Sequence, residues 1–111
     1  KDMWEEGKYY FIAPTSYDQK TISKKWNEET PKHIKELKIR LERLLDFTSL
    51  SIEKAFKKHL EENDLSMGKL LPVFRVCLTG LAVGPSLFDI AALLGKKETI
   101  NRMEKALNTI E

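Results

Sequence analysis

Apolar side chains recur at intervals of three and four along most of this chain, so one-faced helices packed against each other are what it can fold into. Thr30-Pro31 supplies an N-cap and a first-turn proline, and Ile34, Leu37, Leu41, Leu44 and Leu45 share one face up to about Asp46. Before it, residues 16 to 29 are expected to be helical, with Ser16 as N-cap. Ser49 or Ser51 caps a third helix with Ile52, Ala55, Phe56 and Leu60 inward, ending near "ENDLS". A fourth starts near Ser66 and carries Leu70, Phe74, Cys77, Leu78 and Leu81 on one stripe, with Pro72 in or near its first turn. Leu87, Ile90, Ala91 and Leu94 form a fifth, which Gly95 ends as a left-handed cap. The last begins near Lys97 with Ile100, Met103, Leu107 and Ile110 inward. The best strand candidate, "KYYFIAP", is short. The expectation is an all-α bundle of about six helices.

Composition narrows the function. At 111 residues the chain is about one domain, and 41% apolar with 32% charged residues suits folded helices with solvated faces. Charge interrupts every apolar run well before the roughly 20 residues of a membrane span, so no membrane partner is expected. No secretory leader pattern opens the sequence. The single cysteine, Cys77, cannot form an internal disulfide, which points to a reducing, cytoplasmic location. Lys1 stands first, and Trp4, Tyr9, Tyr10 and Phe11 follow without partners, so the chain reads as part of a longer one.

The net charge is only +2, but between Lys20 and Arg43 eight basic residues face four acidic ones. That segment is either a solvated face laced with pairs such as Glu36 with Arg40, or a surface for phosphates. Lys20, Lys24 and Lys25 are the phosphate-contact candidates. Catalytic chemistry has no footing: there is no nucleophile elbow, and the glycines are too scattered for a phosphate loop. His33, His59 and Cys77 fall on three different predicted helices without a second ligand at metal spacing, so no metal site is expected. Cys77 lies on an apolar stripe and is read as a buried thiol, and Trp26 as core or interface.

The stretch "FRVCLTGLAVGPSLFDI" is where binding chemistry concentrates. Arg75 sits about 100° from the core face of its helix, with Thr79 on the same side one turn later. Gly80 ends the helix beside them. Gly84 and Pro85 then make a tight turn, and Ser86 caps a new helix that begins with Leu87.

"LPVFRVCLTGLAVGPSLFDIAALLGKKETINRMEKAL" closely resembles the C-terminal end of bacterial-type glutamyl-tRNA synthetases. There a Leu-Arg-x-x-Leu-Thr-Gly element precedes a Gly/Ser-Pro-x-Leu turn and a Leu-Gly-Lys-Glu helix start. "YYFIAPTSYDQKTISKKW" is similar to the linker between the two anticodon-binding domains of the same enzymes. The sequence departs from the pattern in having Pro72 one residue earlier and Phe74 in place of leucine, which leaves Arg75 aligned. The resemblance implies a linker over residues 1–29 and a C-terminal anticodon-binding cage over 30–111. It also implies that Arg75, Thr79, Gly84, Pro85 and Leu87 meet splayed anticodon bases of glutamate tRNA. The ATP-binding signatures of class I synthetases are absent from these residues, so no cofactor and no aminoacylation are expected of this chain alone. ATP and Mg²⁺ would belong to the parent enzyme, and its preceding domains would be further partners. The alternative is a helical protein-interaction module docking through Trp4 and Tyr9 to Phe11.

Overall fold

A computed structural model describes residues 17–81, 84 and 86–110. Ser16, "KYYFIAP" and the aromatic cluster from Trp4 to Phe11 lie outside them. Among the described residues there are six helices: α1 Gln19–Lys25, α2 Thr30–Glu42, α3 Ser49–Glu62, α4 Met67–Thr79, α5 Leu87–Leu94 and α6 Lys96–Thr109.

Helix ends account for most departures from expectation. Asp18 caps α1, its carboxylate accepting from Thr21 N at 2.9 Å and Thr21 Oγ1 at 2.7 Å. Those bonds hold the Asp18 carboxyl below its ordinary pKa. Thr30 is the first residue of α2 and caps the preceding turn instead, its hydroxyl accepting from Asn27 N at 2.9 Å. Thr48 rather than a serine caps α3, in a reciprocal box with Ser51. Asp64 takes a left-handed φ of 54° after α3, and Leu65 N reaches back to Leu60 O at 2.9 Å. Pro72 lies in the second turn of α4, next to the first turn as the sequence suggests. Ser86 occupies the cap position of α5 without a side-chain cap bond. Gly95 has φ 88° and ψ 164°, a region reserved for glycine but not the left-handed helical one, and it joins α5 to α6 in a single residue.

The core lies between α2, α3, α4 and α6, with α5 closing it. α2 packs on α3 and α6, α4 on α1 and α6, and α5 on α3 and α6. Ile34, Leu37, Leu41, Ile52, Phe56, Phe74, Cys77, Leu78 and Met103 are buried. Phe56 stacks on Phe74 with centroids 5.6 Å apart and meets Phe88 edge-on. Two expected core residues are not there. Leu45 is fully exposed because α2 stops at Glu42 and the chain turns away, and Leu81 is 49% exposed because it follows the end of α4. Lys96 ties that end of α2 down, its ammonium donating to the carbonyls of Glu42 and Leu44. No helix among the described residues is long and apolar enough to cross a membrane.

Candidate nucleic-acid interface

Gly80 breaks α4 as its sequence position demands. It takes φ 76° and ψ −2°, the left-handed conformation open to glycine at no steric cost, and its N–H donates to Val76 O at 2.8 Å. Thr79 finishes the helix: its hydroxyl donates to Arg75 O at 3.0 Å and accepts from Leu81 N at 3.1 Å. The Thr79 side chain therefore shapes the turn beneath any ligand. The Gly80 carbonyl accepts from Asp18 N at 3.0 Å, which binds the entry to α1 to the break in α4.

Arg75 is half-buried on the shoulder of this helix end, off the stripe of Phe74, Cys77 and Leu78. Gly84 is exposed beyond the break. Pro85 lies outside the described residues. Leu87 keeps the stripe expected of its helix but not the base contact that the resemblance implies: at 2% exposure it is packed into the core by the first turn of α5. Its burial anchors the start of α5.

Arg102 was not legible as a site residue. It is 2% exposed on α6, where Nε donates to Glu98 Oε2 at 2.7 Å and Nη1 donates to Leu78 O at 2.8 Å. Leu78 O is among the last carbonyls of α4, which have no partner within the helix, so a buried guanidinium completes the helix end that carries Arg75 and Thr79. The signal was there in outline. Thr99, Arg102, Met103 and Ala106 recur at inward spacing, with Glu98 one turn before Arg102.

A second feature lies where α1, α2 and the start of α4 meet. Lys24, Lys25, Asn27, Glu29, His33 and Lys69 line an open hollow. The three lysines are exposed. Lys20 sits a turn earlier on α1 and does not line it. Lys69, missed in the sequence, precedes Arg75 by six residues on α4, about 9 Å along the axis and on a different side.

His33 and His59, which the sequence placed on separate helices, meet across α2 and α3 with His33 Nδ1 3.2 Å from His59 Nε2. Asn63 Nδ2 lies 3.3 Å from His59 Nδ1, and a Glu29 carboxylate oxygen 3.9 Å from His33 Nε2. Burial, then His33 and Arg40, hold His59 below the ordinary imidazole pKa, against a pull from Glu36 and Glu62. Arg40 engages Glu62 of α3 rather than the expected partner Glu36. Cys77 is fully buried and its thiol is pushed up to about 12 by that burial.

The described domain is thus all-helical, with an open lysine-lined hollow at the start of α4 and a half-buried arginine near that helix's other end. Residues 1–107 match the family described as the anticodon binding domain, and the chain belongs to it. It is 50% identical over 109 residues to the glutamate–tRNA ligase of Flavobacterium psychrophilum, covering 98% of this chain and 22% of that protein. It is 40% identical over its whole length to that of Phocaeicola vulgatus, again 22% of that protein. The crystal structure of a glutamate tRNA ligase from Elizabethkingia meningosepticum superposes with a TM-score of 0.92 at 36% identity, over 100% of this chain and 22% of that one. The chain thus spans about a fifth of the length of these relatives.

Proposed function

We propose that this chain reads the anticodon loop of glutamate tRNA as part of a glutamate–tRNA ligase, positioning the tRNA for a reaction carried out elsewhere in that enzyme. ATP, Mg²⁺ and glutamate would be held by other parts of the ligase, since neither a phosphate loop nor a class I signature is present in this sequence. Residues 1–29 would serve as the linker from the preceding domain and 30–111 as the anticodon-binding domain.

The observation that carries the reading is Arg75 at a helix end fixed from three sides, by Gly80, by the Thr79 hydroxyl and by Arg102. Sequence-specific RNA recognition favours unstacked bases held by hydrogen bonds at their edges, and a guanidinium is a fixed fork of donors. Arg75 would donate to one base, the turn at Gly84 and Pro85 would let that base approach, and Thr79 and Leu87 would hold the turn from below. Lys24 and Lys25 would meet backbone phosphates, which orient the RNA without reading its sequence, with Lys20 at the edge of that contact.

The test is aminoacylation of wild-type and anticodon-substituted glutamate tRNA by the full-length ligase carrying Arg75→Ala. Losing one base contact should cost about 1 to 3 kcal/mol on the wild-type tRNA and narrow the gap between the two substrates. Equal losses on both would make Arg75 a phosphate contact, and no loss on either would end the proposal.

A further inference from the structure

We propose that His33, Glu36 and His59 form a binding site for one divalent transition ion of the zinc, cobalt or nickel kind, bridging α2 and α3. His33 and Glu36 are three residues apart on α2, which puts them on one face. A carboxylate and a histidine at this spacing are how helix bundles present ligands to an ion. His59 comes from the last turns of α3, fully buried. One ligand atom from each of the three residues lies within 4.8 Å of the others.

The nitrogen geometry already suits an ion. Two imidazole nitrogens bound tetrahedrally to zinc stand about 3.3 Å apart. His33 Nδ1 and His59 Nε2 stand 3.2 Å apart, so the rings need only turn their lone pairs toward a shared point off the line between them. Glu36 would be the third ligand and water the fourth.

A polar group also stands near the far nitrogen of each histidine, although neither makes the N–H-accepting hydrogen bond that orients a metal-bound imidazole. Glu29 stands 3.9 Å from His33 Nε2, and the Asn63 side-chain amide 3.3 Å from His59 Nδ1. With the ion absent, the proton on His59 Nε2 bridges to His33 Nδ1 while Asn63 donates to His59 Nδ1. Binding would move that proton to His59 Nδ1 or release it, and because Asn63 Nδ2 also donates to His59 O at 2.9 Å, the Asn63 amide would have to swing away from a protonated Nδ1. Arg40, the cation acting on His59, is already engaged with Glu62, which limits its repulsion of an ion.

The experiment titrates the full 111-residue chain, free of chelator, with Co²⁺ and then Zn²⁺. The expected result is one equivalent of cobalt with the visible ligand-field band of a tetrahedral site, displaced by Zn²⁺ and indifferent to Mg²⁺. Zn²⁺ should also raise the thermal midpoint. Glu36→Gln and His33→Gln should each weaken cobalt binding at least tenfold, and His59→Gln should abolish the band. Glu36 is only half-buried, so Glu36→Gln keeps the test valid if a histidine variant fails to fold. Absence of the band with no zinc-induced rise in midpoint would overturn the proposal. So would binding left unchanged by Glu36→Gln and His33→Gln.

Discussion

The end of α4 and the seam between α2 and α3 both gather polar groups against the core, but by opposite routes. At the end of α4 the groups are neighbours in sequence: Arg75, Thr79 and Gly80 lie within two turns, and the left-handed glycine and back-bonding hydroxyl are local devices. At the seam, His33 and His59 are 26 residues apart, and only the packing of two helices brings their rings within 3.2 Å. Local rules can shape a backbone corner, whereas a buried polar cluster needs two elements already docked.

The largest expected effect joins both regions. Phe74 is buried on α4 and stacks on Phe56 of α3, so Phe74→Ala should destabilise the fold by about 3 to 5 kcal/mol and loosen break and seam together. Chemical denaturation would show an unchanged midpoint if this packing were dispensable. Arg102→Ala should separate the regions. It removes the charged donor to Leu78 O, costs about 2 to 3 kcal/mol of stability, and should blunt anticodon discrimination. The His33–His59 contact should be left intact, which the histidine NMR signals would report.

Smaller effects sharpen the contrast. Lys24→Ala with Lys25→Ala in the full-length ligase should weaken every tRNA alike and lower the salt slope by roughly one per lysine. An unchanged slope would make the hollow a merely solvated face. Cys77 gives the least conspicuous prediction. Its pKa rises from 9.0 to about 12 on folding, so between those values the unfolded chain binds fewer protons than the folded one. The thiol's contribution to stability is present below about pH 9 and is lost as pH rises toward about 12. Alkylation of native protein near pH 8 should track unfolding rather than thiolate chemistry. Rapid labelling of the folded chain would contradict it.

Sequence by itself determined the helical class, the inward faces of Ile34, Leu37, Leu41, Ile52, Phe56, Phe74 and Met103, and the break at Gly80. Each depends on residues within one or two turns, where the 3.6-residue period and the conformational freedom of glycine act directly. Tertiary structure decided the rest. Periodicity put Leu45 and Leu81 inward, but the ends of α2 and α4 left them in solvent. Leu87, which the resemblance implied would meet a base, is held in the core by the docking of α5. The partners of Arg102 and of the histidine pair were not legible, for the same physical reason. A buried polar side chain is tolerated only where a partner is supplied, and for these residues the partners, Leu78 O and the facing imidazole, come from other helices whose approach no local period encodes.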